Sequence, residues 1–326
     1  MPRPTDPIIA VMQRTHTTTL TILALFVCLL AFPAEINAAA DQPPLAPPAC
    51  PNRGAIPRTV APADRVTLPI LMYHHVTHLP ANASALWRNL TVTPEALEAQ
   101  VKSLADHGYH TIYFSDLIAY FGAGTPLPDR PIILTFDDGW IDDYTVVYPI
   151  LQKHCMVGTF FPPVNWVNNG NGKQVISWPM IEEMSRGEME FGSHTLNHHL
   201  LNNQNEKQIM EQLVSSKAEL EKHTIRPVVA LAYPGGGYNA LVVALAAKAG
   251  YGAAVGVTAN PDQARSDLFT LRRITVPYSD DLKMFEQRIT SKNPPRASAG
   301  QPPRPALPPA PRAMLWPVLW EDLAER

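Results

Sequence analysis

The sequence predicts an α/β fold, a (β/α) barrel of about seven parallel strands. Three observations carry this. Strand-like and helix-like segments alternate through residues 66–292, the strand-like segments number about seven, and the polar motifs fall where those strands end. Alternation of this kind needs parallel strands joined by crossover helices. Seven strands favour a closed barrel over an open doubly wound sheet, and in such barrels chemistry sits where strands give way to loops.

Taken in order, Val66–Tyr73 reads as a buried strand. Thr93-Pro94-Glu95 opens a helix, with threonine as N-cap and proline at the first position. Leu97, Val101 and Leu104 follow at helical spacing, and Gly108 ends the helix. Pro131–Phe136 is a continuous apolar strand, Asp142–His154 a helix and Val157–Phe161 a strand. Pro179–Arg186 is a short helix, and Met189–Ser193 a strand. Glu206–His223 carries Ile209, Leu213 and Leu220 on one helical face. Val228–Tyr233 is a strand, Asn239–Gly250 an alanine-rich helix and Gly252–Val257 a strand. Phe269–Val276 is the last strand, before a helix near Asp281–Ile289.

The chain has 326 residues, 46% hydrophobic and 17% charged, enough for a sizeable core. A formal net charge of −3 gives no electrostatic ground for nucleic-acid binding. Of 34 prolines, seven fall in Pro43–Pro62 and nine in Pro294–Pro317, so the excess marks the ends. Arg14, the apolar run Leu20–Phe32, Pro33 and the small residues Ala38-Ala39 resemble an export signal. The run is short for a membrane span, and the alternative is an uncleaved single-span anchor with membrane association. The expected plan is therefore a signal at 1–40, a Pro-rich linker at 41–65, one domain at 66–292 and a disordered Pro-rich tail at 293–326. Three cysteines exclude a disulfide scaffold or a zinc-finger array. A Cys50–Cys155 bridge is open in an oxidising compartment, although nothing in the spacing argues for it.

The sharpest motif is Thr135-Phe136-Asp137-Asp138-Gly139-Trp140, directly after an apolar strand. Adjacent carboxylates there are costly unless each has a partner. Such a pair divides labour well, one binding a metal and the other acting as base. The plainer alternative is an acidic turn, since Asp-Gly is a common turn dipeptide. His194-Thr195-Leu196-Asn197-His198 also follows a strand. Histidines four apart face one metal where the segment turns helically. With Asp138 they form a set of two histidines and one carboxylate, which leaves positions open on zinc or another divalent ion. The alternative is two surface histidines in a loop, beside His199.

Together these segments make the chain similar to the polysaccharide deacetylase (NodB-homology) family, carbohydrate esterase family 4, over about Val66–Ile289. The resemblance implies a distorted (β/α) barrel that removes acetyl groups from N-acetylated glycans or, in some members, from acetylated xylan. It implies Asp137 as general base and Asp138, His194 and His198 as ligands of one divalent ion, zinc, with cobalt or nickel as alternatives. Leu231-Ala232-Tyr233-Pro234-Gly235-Gly236 resembles the family's third motif, a groove wall whose backbone N–H serves the oxyanion hole. Tyr233, Pro234 and Gly235 are carried over as substrate and oxyanion residues, and Trp140, like Trp178 and Tyr238, stacks on sugar rings or packs the rim.

Common members have arginine and tyrosine where Ala232 and Gly235 stand. Gly235 can keep the backbone donor. The arginine's task of orienting the catalytic aspartate passes to Arg273, unless Arg273 is an exposed basic residue. The family's C-terminal Leu-x-His motif is missing after Val257, whereas Leu71-Met72-Tyr73-His74-His75-Val76 ends the first strand. That resembles the branch that includes poly-N-acetylglucosamine deacetylases, where the histidine strand comes first. His74 is then the expected general acid, and His75, on the opposite face by strand alternation, is structural. The expectation is an exported, periplasmic or secreted, monomeric hydrolase acting on a polysaccharide and not on nucleic acid. Its rivals are an O-acetyl esterase and a non-catalytic glycan-binding protein, and the intact aspartates and histidines argue against the second.

Overall fold

The computed structural model describes residue 50 and residues 53–170 and 172–291. The expected signal and tail, and most of the expected linker before residue 53, lie outside the described residues.

The chain begins with β1 (Arg65–Thr67), β2 (Ile70–Tyr73) and β3 (His75–Val76), then α1 (Ala85–Asn89) and β4 (Thr91–Val92). Helix α2 (Pro94–Asp106) starts as expected, with the Thr93 hydroxyl accepting from the Ala96 N–H at 3.1 Å. There follow β5 (His110–Thr111), α3 (Phe114–Ala123), β6 (Pro131–Asp137), a π-helical turn (Asp143–Val147) and α4 (Tyr148–Lys153). Next come β7 (Thr159–Phe161), α5 (Trp178–Arg186), β8 (Glu190–Phe191), α6 (Glu206–Leu220), β9 (Ala230–Ala232) and α7 (Ala240–Lys248). The last elements are β10 (Ala253–Val255), β11 (Asp262–Ala264), β12 (Ile274–Thr275) and α8 (Leu282–Thr290). Among the described residues no helix is long and apolar enough to cross a membrane.

Seven parallel strands make the frame, but their ladders do not close continuously. One sheet runs β12-β2-β6-β7-β8, with β5 also on β6, and β9 pairs β10 separately. Single parallel bridges cross the two gaps, Ser193 to Leu231 and Val255 to Leu271. The Ser193 N–H donates to the Ala230 carbonyl at 2.9 Å, and the Gly256 N–H to that of Leu271 at 2.9 Å. The result is a distorted, interrupted barrel in place of the closed one that strand counting favours.

Alternation along β6 sorts its side chains between two layers. Leu134 and Phe136 face the helices, where Tyr73, Phe136 and Phe160 stack at 5.2 and 5.0 Å on three neighbouring strands. Ile133 faces a second cluster with Ile70, Phe161, Ala230, Ala232, Ala253 and Val255. Burying each large apolar side chain contributes about 1.5–3 kcal/mol. Following the face of Ile133 toward the strand's C-terminal end gives Thr135 and then Asp137, so polar groups crown one end of the same column.

Three segments differ from the sequence reading. Val66–Tyr73 is two strands, because Pro69 lacks the N–H a continuous ladder needs; β1 turns away to pair antiparallel with β11. Asp142–His154 is a π turn leading into a short α-helix. Residues 53–65, expected as a linker, lie along the barrel: Val60 bridges Leu127, the Tyr120 hydroxyl donates to the Ala61 carbonyl at 2.9 Å, and Arg58 pairs with Asp116 at 2.8 Å. Cys50 and Cys155 are joined by a disulfide spanning 105 residues.

Candidate active site

Asp137 ends β6 with 2% of its surface exposed. Arg273, just before β12, is fully buried, so it is not the exposed basic residue of the alternative reading. Its guanidinium donates to both Asp137 oxygens, at 2.7 and 2.7 Å, and also to the Gly256 carbonyl at 2.9 Å and the Thr135 hydroxyl at 3.1 Å. A buried ion pair tolerates desolvation only when hydrogen-bonded this completely. Burial pushes the Asp137 pKa up, but the Arg273 charge beside it, with help from His194, holds it below the ordinary carboxylate value. Asp137 is therefore ionised at neutral pH.

The chain turns sharply after Asp137. Asp138 and Gly139 both take left-handed backbone angles, φ 77° and 65°. A side chain at Gly139 would bring its Cβ within 2.8 Å of Pro162 Cβ and 3.2 Å of Pro162 Cα, so only glycine fits. The turn aims Asp138 at two histidines, with Nε2 of His194 3.6 Å and Nε2 of His198 3.2 Å from its Oδ1. The histidine segment is no helix. Thr195 and His198 have φ 69° and 59°, and the Thr195 hydroxyl accepts the His198 N–H at 3.1 Å.

The trio's own geometry suits a metal ion. The three ligand atoms lie within 4.8 Å of one another, a spread that bonds of about 2.0–2.2 Å to one central ion can bridge. Asp138 Oδ1 is buried without a hydrogen-bond partner, as a carboxylate oxygen shaped for an ion would be. The His194 Nδ1 lies 2.7 Å from the Ala232 carbonyl, which fixes the tautomer with the Nε2 lone pair facing the cluster. Burial depresses the His194 pKa to about 4, keeping the ring neutral. Burial raises the Asp138 pKa, but the contact with His198 and the charges of His74 and His194 outweigh that and lower it overall. Two imidazoles, that of His194 held neutral, and an ionised carboxylate fit a divalent ion.

His74, between β2 and β3, places Nε2 3.9 Å from Asp137 Oδ2, at the same end as the trio. Its Nδ1 is buried and has no partner among the described residues. His75 points elsewhere, with its ring 4.7 Å from Trp87 and 4.2 Å from Trp140, and burial lowers its pKa to about 4. Trp140 continues to Trp166, which lies 5.1 Å from the His198 ring, so a row of aromatic rings borders the cluster. Gly235 lies in a 3-10 turn with φ 57° after β9. Pro234 and Tyr233 are buried, and the Tyr233 hydroxyl donates to the Phe269 carbonyl at 3.0 Å. The Tyr233 side chain thus belongs to the core, leaving only its backbone for the groove wall. Tyr238 packs on Tyr233, and Trp178 stacks on His223 at 4.2 Å, so both rings are committed to packing.

Sequence reasoning missed Asp142 and Asp143. The Asp142 carboxylate accepts the Val76 N–H, pinning β3 to the π turn. Asp143 is fully buried, and neither carboxylate oxygen has a partner among the described residues. Burial first, then the charges of Asp142, Asp138 and Asp137, push its pKa well above the ordinary value. The sequence signal is a second Asp-Asp pair close behind the first, at the start of the helix expected over Asp142–His154.

An ionised buried carboxylate next to an ion-binding trio, set at the ends of barrel strands, belongs to the class of hydrolases. Comparison with known proteins specifies the class. Residues 124–254 match the polysaccharide deacetylase family model. Over 273 residues it is 29% identical to YxkH of Bacillus subtilis, provisionally named a polysaccharide deacetylase, covering 79% of this chain and 92% of that protein. Over 135 residues it is 31% identical to the poly-beta-1,6-N-acetyl-D-glucosamine N-deacetylase of Escherichia coli, covering 37% of this chain and 20% of that protein. The solved structure of the Streptococcus pyogenes deacetylase PplD in complex with acetate aligns with a TM-score of 0.64 at 28% identity, covering 69% of this chain and 99% of that one.

Proposed function

We propose that this deacetylase removes N-acetyl groups from a GlcNAc-containing polysaccharide outside the cytoplasm. The observation that carries the reading is the placement of His74 Nε2, 3.9 Å from Asp137 Oδ2 at the ion-cluster end. An amide has a poor leaving group and needs a proton donor, and His74 is available as one. The E. coli relative named as an N-deacetylase supports the same choice of bond.

A divalent ion held by Asp138, His194 and His198, zinc or otherwise cobalt or nickel, would supply Lewis acidity and a water of lowered pKa. Asp137 accepts the proton of the attacking water. Arg273 holds Asp137 in one rotamer and ionised, so the base is ready at neutral pH. The Gly235 N–H donates to the developing oxyanion, an interaction type worth about 3–4 kcal/mol. His74 Nε2 passes a proton to the amine nitrogen as the C–N bond breaks, releasing acetate and a free amine. Trp140 offers a ring face to the sugar.

The Cys50–Cys155 bridge supports an oxidising, extracytoplasmic location and agrees with an export signal at 1–40. We assign residues 66–292 as the deacetylase domain, a monomer, flanked by Pro-rich segments. The test is acetate release from acetylated chito-oligomers and from acetylxylan, with and without chelator. Release from the chito-oligomers, abolished by chelation and restored by zinc or cobalt, is expected. Release from acetylxylan alone would make the enzyme an esterase, and full activity in metal-free protein would remove the ion from the mechanism.

A further inference from the structure

We infer that a pocket near the opposite end of β6 binds the oxyanion of an acidic glycan, a carboxylate or a phosphate. Thr111 of β5 and Tyr113 beyond it line the pocket, and β5 pairs Pro131 and Ile132, whereas Asp137 stands at the other end of β6. Five strand residues separate the levels by about 17 Å, so the pocket is distinct from the active site. It encloses about 220 Å³, room for more than a lone ion.

Charge sets the ligand class. Arg53, Arg58 and Arg226 line the pocket with one acid, Asp116, and the charges of Glu188 and Glu190 also reach its Tyr113. Arg58 is paired with Asp116 at 2.8 Å. The guanidinium carbons of Arg53 and Arg226 lie 5.0 and 4.0 Å from the centroid of the same Tyr113 ring. Arg53 spends its donors on Thr111. Arg226 stacks on the ring and its charge also reaches the Glu190 carboxylate, but among the described residues no hydrogen bond or salt bridge holds its guanidinium. Two guanidiniums gathered on one ring, neither in a salt bridge with the nearby Glu188 or Glu190, repel, and an oxyanion would relieve this while taking the fork of Arg226.

The other polar groups nearby are already committed. The buried Glu190 carboxylate accepts the Phe114 N–H at 3.0 Å and the Thr159 hydroxyl at 2.7 Å, and Asp116 accepts the Tyr113 N–H at 3.0 Å. The N-terminus of α3 is thus capped, and Arg226 is what remains to recruit an anion, with the exposed Ser115 hydroxyl beside it.

The test is calorimetric titration of the full chain with inorganic phosphate, glucuronate and, as a neutral control, glucose, at constant ionic strength set with chloride. Saturable binding of phosphate or glucuronate, absent for glucose, is expected. Arg226→Ala should weaken it roughly 10- to 100-fold, the range for losing hydrogen bonds to a charged group. Arg226→Lys, which keeps the charge and the fold but not the fork, should weaken it less. Arg65→Ala, a surface arginine outside the pocket, should leave it unchanged. Preference between the two anions identifies the polymer's charged group. No saturable binding, or equal affinity in wild type and both Arg226 variants, overturns the inference; the readout is binding, so it stands apart from deacetylation.

Discussion

Replacing Arg273 with methionine isolates the ion pair at the heart of the site. The guanidinium makes four hydrogen bonds, two of them to Asp137, and both residues are buried. Methionine fills similar volume but leaves a buried carboxylate unpaired, which costs about 3–5 kcal/mol. For a domain of this size that corresponds to a fall in Tm of about 6–20 °C. The sign of the pH effect follows from the same balance. With Arg273 present the Asp137 pKa is lowered, against burial; without it burial wins and the pKa rises. The acid limb of the pH–rate profile should therefore move to higher pH. The double variant Arg273→Met with Asp137→Leu removes both charges and should recover most of the lost stability while remaining inactive. Calorimetry in chelator and kcat/KM from pH 4 to 9 measure the two effects separately. A single variant as stable as wild type, an unmoved acid limb, or a double variant no better than the single would refute the reasoning.

Asp138→Ala should lose bound metal and activity together, whereas Asp137→Asn should keep the metal and lose most of kcat; metal analysis after gel filtration separates them. His74→Ala should slow amide deacetylation about 10²–10⁴-fold and affect an aryl acetate less, since that leaving group needs no proton; equal losses would reject the role. In metal-free protein, Asp143 binds its proton more tightly when folded. The stability it contributes is complete below its unfolded value near 3.9 and declines as pH rises toward the raised folded value. Asp143→Asn, which mimics the neutral acid, should flatten that slope in urea melts at successive pH values. Reducing the Cys50–Cys155 bridge should cost about 4–5 kcal/mol, the chain-entropy value for a loop of about 100 residues, measured by urea unfolding with and without reductant.

The parts legible in the sequence were those whose period and chemistry are local. Pro131–Phe136 was a strand because its apolar run is interrupted only by the β-favouring Thr135, and Thr93-Pro94 announced α2 because capping is a matter of adjacent residues. Asp137, Asp138, His194 and His198 stood out because charged residues after apolar strands require partners. What stayed hidden depended on distant chain. Whether Arg273 was exposed or clamped on Asp137 depends on chain 136 positions away. The burial of Asp143 depends on a π turn, which shifts the side-chain register from that of the α-helix the spacing suggested. Residues 53–65 lack periodicity because single contacts with Thr111, Asp116 and Leu127 hold them, and such contacts leave no repeating pattern. The Tyr233 hydroxyl was invisible as a core group until the Phe269 carbonyl supplied its partner.

Strand β2 lies between β6 and β12, the last strand of the ring. His74 follows β2 and Arg273 precedes β12, so the two ends of the domain each contribute one side chain to the carboxylate that ends β6. An emerging chain therefore carries an unpaired β2 edge and an unclamped Asp137 until residue 275 is available. Pairing across such sequence separations is slow, and exposed edges invite misassociation meanwhile. Synthesis of nearly the whole domain thus precedes the first competent centre, and a fragment cut before Arg273 has no base-orienting arginine to gain. Activity is in this sense a readout of ring completion.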